Sequence, residues 1–60
     1  MVRRCSEVYA GGDWIYAENS DRGGGIHEVR VVTRSWRMCR FEYRESACGE
    51  IEVVRDEECE

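Results

Sequence analysis

The sequence contains no lysine, leucine, glutamine or proline. Without proline there is no polyproline segment, and six glycines in sixty residues exclude a collagen-like repeat. Without lysine, all nine basic residues are arginine. Designed mini-proteins fill their helices with lysine, leucine and glutamate, so a chain lacking two of these three reads as natural. No apolar run exceeds the four residues Trp14 to Ala17, whereas a membrane-spanning helix needs about 20. Met1-Val2-Arg3-Arg4 leads directly into Cys5-Ser6-Glu7 with no apolar stretch after the basic pair. That pattern predicts no export signal and a soluble, cytoplasmic protein.

Chemistry-bearing motifs are equally scarce. The single histidine, His27, is followed by Glu28, and neighbours on a strand point to opposite faces, so the two are not an acid–base pair. Serines 6, 20, 35 and 46 lack a Gly-x-Ser-x-Gly context. Gly23-Gly24-Gly25 precedes a strand pattern, whereas a phosphate cradle needs glycines before a helix. The C-terminal acids do not have the spacing of a calcium loop. Catalysis also needs a concave, water-excluding site that so short a chain seldom supplies. The expectation is a non-enzymatic protein with no cofactor and no metal.

What is present reads as one domain over residues 1–60, small enough that its core is marginal without a staple or a partner. From Ile26 onward the pattern is strand: Ile26 to Arg34, Trp36 to Glu45 and Glu50 to Asp56 are β-branched, aromatic and roughly alternating. Asp13 to Glu18 is a shorter aromatic strand, followed by an expected loop over Asn19 to Gly25. Val2, Cys5, Val8 and Tyr9 fit a short helical turn ended by Gly11-Gly12. The predicted fold is mainly β, a small antiparallel meander of about four strands with a short N-terminal helical turn.

Ala47-Cys48-Gly49 fits a three-residue hairpin loop with glycine in the left-handed position. Ser46 then faces Glu50, Tyr43 faces Val53, Arg44 faces Glu52, Phe41 faces Arg55 and Arg40 faces Asp56. The predicted core is Val29, Val31, Cys39, Phe41, Tyr43, Ile51 and Val53, covered by Val8, Tyr9, Trp14, Ile15 and Tyr16. Trp36 and Met38 fall on the opposite face, and this exposure, with the small core, suggests a homodimer.

Four cysteines, at 5, 39, 48 and 59, lack the spacing of a zinc motif. The hairpin puts Cys48 at its tip, roughly 30 Å from Cys39, so the four cannot share one ion. Cys39 and Cys59 share a face and bond only if the C-terminus bends inward; Cys5 reaches either end. Reduced thiols in a cytosolic protein, with Cys39 as a small buried hydrophobe, are the leading reading. A two-disulfide secreted module and a structural zinc are the alternatives.

Charge is segregated. Residues 1–29 carry three bases and five acids, residues 30–44 five bases and one acid, and residues 45–60 one base and seven acids, within an overall net charge of -4. Arginines 30, 34, 37, 40 and 44, interleaved with Trp36, Phe41 and Tyr43, suggest a nucleic-acid-binding sheet. Two of these arginines are matched by acids, however, and a net acidic domain repels a polyanion. No direct nucleic-acid binding and no membrane partner are expected. The acids Glu50, Glu52, Asp56, Glu57, Glu58 and Glu60, spaced along one strand and its extension, can instead stand in for phosphates, with Trp36 as an interface anchor. The expected function is an acidic protein-binding inhibitor that occludes the basic nucleic-acid-binding surface of a protein partner. Its class by physical analogy is the DNA mimic of anti-CRISPR type, phage-encoded and acting in the host cytoplasm. The alternative is a secreted, disulfide-stapled β module that binds a protease, receptor or glycan.

Overall fold

A computed structural model describes residues 2–59. One helix, α1 (Cys5–Gly11), precedes four strands: β1 (Trp14–Gly23), β2 (Ile26–Thr33), β3 (Met38–Glu45) and β4 (Ile51–Asp56). The strands form a single antiparallel sheet in chain order, β1-β2-β3-β4, the expected meander.

Local chemistry starts and stops α1. The Arg4 carbonyl accepts from the amides of Glu7 and Val8, and the Glu7 carboxylate accepts the Arg4 N–H at 2.9 Å, one half of a capping box. At the other end Gly12 takes φ 75° and donates to the Tyr9 carbonyl, a left-handed stop that glycine adopts without steric cost. The helix buries Cys5 and Val8 against Val29, Val31, Cys39 and Phe41 of β2 and β3, and Cys59 closes the cluster. Tyr9 stacks on Trp14 at 5.4 Å between ring centres, and the Trp14 indole donates to the Tyr9 carbonyl.

A helix of seven residues is about 10 Å long, whereas eight-residue strands run about 26 Å. The helix therefore covers one half of its face of the sheet. Ile51 and Val53, expected in the core, are 61% and 45% exposed, because nothing lies over the β4 side. Ile15 and Tyr16, expected to cover the core, are exposed on the other edge strand: Tyr16 pairs with Val32 on the outer face, and Ile15 sits at the irregularity between Trp14 and Tyr16. Tyr43 is half-buried at the boundary and stacks on His27 at 5.2 Å.

The Asn19 to Gly25 loop is instead mostly strand. Asn19, Ser20 and Asp21 pair with Val29, Glu28 and His27, and only Gly24 and Gly25 turn the chain. Both glycines have positive φ, as a two-residue hairpin turn requires. The third hairpin closes as expected: the Ser46 amide donates to the Glu50 carbonyl at 2.8 Å and Gly49 has φ 86°.

Along β3 and β4 the expected register holds for Glu45 with Ile51, Arg44 with Glu52 and Tyr43 with Val53, then slips by one at a bulge. Beyond it Glu42 faces Arg55 and Phe41 faces Asp56, so Arg40 meets Glu57 and not Asp56. The regular register would have set the Arg55 guanidinium against Phe41 on the apolar face. One extra residue at Val54 turns Arg55 to the outer face opposite Glu42 and turns Asp56 toward α1.

Candidate functional site

Alternation along the strands gives the sheet two chemically different faces. The outer face, away from α1, is a charge lattice. Arg30 pairs directly with Arg40 and Glu28 with Glu42, so like charges stand opposite one another and opposite charges meet on the diagonals. Glu28 is the centre of this lattice. One of its oxygens lies 3.5 Å from both Arg22 and Arg30, and the other 3.4 Å from Arg40. Three arginine stems cover it so fully that it is 1% exposed although it points away from the core.

The predicted partner-binding acids divide among three roles. Asp56 accepts from the backbone N–H and the hydroxyl of Ser6, which ties β4 to the first turn of α1. Glu57 receives the Arg40 backbone amide and its guanidinium, each at 3.1 Å. That hydrogen bond, then the charges of Glu57 and Glu28, push the Arg40 guanidinium further above its ordinary range. Glu52 takes two contacts from Arg44 at 3.3 Å and stays half exposed. Glu50 and Glu58 are exposed. Glu60 lies outside the described residues.

These positions do not form one continuous row. Glu50 and Glu52 lie at the loop end of β3 and β4, together with Glu45, while Glu57 and Glu58 lie at the other end of β3. Trp36 is at that second end, in the turn before β3, 79% exposed and held at φ 64°. Met38, 72% exposed, follows it on the outer face beside Val32 and Tyr16.

On the inner face, the half that α1 leaves bare carries Tyr43, Ile51 and Val53, with Glu45 beside Ile51 and Glu50 adjoining, while Glu52 faces Arg44 on the outer face. A shallow apolar groove runs from Ile51 and Tyr43 to Phe41 and Tyr9. The alternation of Tyr43, Ile51 and Val53 marks them as apolar on one face. It carries no information on whether a seven-residue helix reaches them.

The cysteines sort differently from any zinc or disulfide spacing rule. Cys48 is exposed in the β3–β4 loop, at the hairpin tip where it was expected. Cys5, Cys39 and Cys59 converge in the core with all three sulfurs within 4.8 Å of one another. Cys39 has a Cα separation of 5.8 Å from Cys5 and 5.6 Å from Cys59, both ordinary for a disulfide. One sulfur holds one S–S bond, so Cys39 pairs with one neighbour at a time and the other stays a thiol. The two-disulfide framework does not arise in this arrangement, because Cys48 has no cysteine near it among the described residues. The C-terminus does bend inward, as a Cys39–Cys59 contact requires. The bend follows the bulge and is fixed by an antiparallel bridge between Arg4 and Glu58.

No helix among the described residues is long and apolar enough to cross a membrane. Comparison with protein-family models, with curated proteins and with solved structures returns no match to this chain.

Proposed function

We propose that this protein is a non-enzymatic binding protein that docks the bare inner face of its β3–β4 hairpin onto a basic surface of a protein partner. The partner surface is one that otherwise holds nucleic acid, so docking inhibits by occlusion. The observation that carries the reading is the short helix: it leaves Ile51 and Val53 uncovered beside Tyr43, with Glu45 and Glu50 at the margin. Apolar contact supplies binding free energy at about 25 cal/mol per Å² removed from water. The carboxylates steer approach and select a basic partner. Relative to the acidic row read from the sequence, the contact contracts to Glu50 and gains Glu45, since Glu52, Asp56 and Glu57 have intramolecular partners and Glu58 lies at the far end of β3.

The test compares three immobilised proteins in nuclease-treated lysate: the wild type, Glu45→Arg/Glu50→Arg, and Ile51→Ser/Val53→Ser. The expected result is a protein retained by the wild type, lost by both variants, and stripped of bound nucleic acid when free wild-type protein is added. Equal retention by all three, or a captured protein that keeps its nucleic acid, overturns the reading.

A disulfide-stapled module in an oxidising compartment is the second reading, favoured by one observation, the disulfide-range separation of Cys39 from Cys5 and Cys59. It requires an S–S bond in the freshly isolated protein, read from intact mass with and without reductant.

A further inference from the structure

We propose that Cys5, Cys39 and Cys59 form a three-thiolate site for a zinc ion. This is independent of the docking surface, which lies on the other half of the same face.

The three thiols come from three separate segments, the start of α1, the start of β3 and the C-terminal arm. They are 0%, 2% and 8% exposed. Their convergence does not depend on sulfur chemistry. The Cys5 amide donates to the Glu57 carbonyl and the Cys59 amide to the Arg3 carbonyl, each at 2.8 Å. The Arg4–Glu58 bridge and the Asp56 contacts to Ser6 brace the same junction. Main-chain bonds therefore hold the three sulfurs together.

Three is the number that matters. Any S–S bond in the cluster uses two sulfurs and strands the third. One thiophilic ion uses all three. At a zinc–sulfur distance of about 2.3 Å, thiolates around a single ion lie roughly 3.7 to 4 Å apart, so the three sulfurs, which converge within 4.8 Å of one another, spread away from Cys39 to seat the ion. Soft thiolate donors in a dry apolar setting select zinc over hard cations such as magnesium or calcium. Val8, Val31 and Phe41 supply that setting.

An entry path and a fourth position are also present. Cys59 lines an open cleft with Arg3, Asp13, Thr33 and Arg34. A water or a small ligand reaches the ion from this side. Three thiolates and one divalent ion leave a single negative charge; Arg34 lines the cleft, as do Arg3 and Asp13, which are paired with each other at 3.1 Å. Each thiol gives up its proton on binding. A thiol ordinarily titrates near 8.5, so at pH 7 close to three protons leave per ion.

The experiment uses the full chain, reduced and kept anaerobic, with Zn²⁺ added from below to above one equivalent. The expected results are a 1:1 complex by native mass spectrometry and release of about three protons per ion. Alkylatable thiols should fall from four to one, the survivor being Cys48. Cd²⁺ in place of Zn²⁺ should give an ultraviolet thiolate-to-metal band. Cys48→Ser should bind as the wild type does. Cys59→Ser and Cys39→Ser should each weaken binding by roughly a hundredfold or more, with circular dichroism taken first to establish that each variant is folded. A folded, reduced wild type that takes up no zinc, or a folded Cys59→Ser that binds as tightly as the wild type, overturns the proposal. Neither result bears on the hairpin surface, whose variants keep all four cysteines.

Discussion

Ser6 gives both its backbone N–H and its hydroxyl to the carboxylate of Asp56, fifty residues away. The pair fastens the last residue of β4 to the first turn of α1, where an anion also complements the positive end of the helix dipole. It is the reason the acid at position 56 acts inside the molecule and not at its surface.

Replacing Asp56 with Ala removes two hydrogen bonds to a charged acceptor in a part-buried setting. The expected loss is about 1.5–3 kcal/mol of stability, read from the midpoint of urea unfolding. Asp56→Asn, which still accepts, should lose less. Equal stability of Asp56→Ala and the wild type would show that the Ser6 contact contributes nothing.

Glu28 sits against three guanidiniums and is, among the described residues, the buried side chain of the outer face. With Gln at this position, Arg30 stands opposite Arg40 with no full charge between them. The arginines are half exposed, so solvent screens them, and the expected cost is about 1–3 kcal/mol, below that of breaking a fully buried pair. Added salt should narrow the gap between Glu28→Gln and wild type, because it screens the remaining arginine repulsion. A gap that widens with salt would contradict this account.

Trp36 combines a positive φ with 79% exposure. A bulky L-residue in that region carries about 1–2 kcal/mol of strain, and a side chain so exposed returns little by packing. Trp36→Gly should therefore unfold at a higher temperature than wild type, by an amount corresponding to about 1 kcal/mol. A lower melting temperature would mean that the indole makes a stabilising contact. If Trp36 anchors a partner, the same variant separates stability from binding, gaining one and losing the other.

The Tyr16 hydroxyl donates to Glu18 at 2.8 Å. That hydrogen bond, followed by the carboxylate charge, holds the phenol above its ordinary value of 10.0. A value raised in the folded state stabilises fully below the unfolded value, and that contribution is lost as pH rises through the folded one. In an ultraviolet titration, the component that Tyr16→Phe removes should move to lower pH in Glu18→Ala. An unchanged curve in Glu18→Ala would refute the link.

The meander was legible because its signals are local. Gly49 and the charge match of Arg44 with Glu52 set the third hairpin, and Gly11-Gly12 marked the end of the helix. The bulge was not legible. Val53 and Val54 are both apolar, so either fits the apolar face, and only the burial of Arg55 in the regular register argues against it. The polar run Asn19 to Arg22 reads as loop, yet β2 provides a full set of backbone partners that outweighs propensity. Ile51 and Val53 read as core because alternation reports a face, not its cover. The cysteine cluster joins positions 34 and 20 residues apart, separations that no short motif encodes.

The bridge between Arg4 and Glu58 nearly closes the chain on itself. The glycine turn and the three-residue loop pair neighbouring segments, whereas this contact shuts a loop almost as long as the protein and bears the largest closure entropy. It should therefore form last and open first, in a local unfolding that leaves the four-stranded sheet intact. Cys5 and Cys59 flank that seam. Reagents should accordingly reach the core thiols at a rate set by separation of the two chain ends, orders of magnitude faster than global unfolding exposes Val29 or Val31 to hydrogen exchange. Chemistry at the sulfurs then senses whether the ends are joined, and does so without dismantling the sheet.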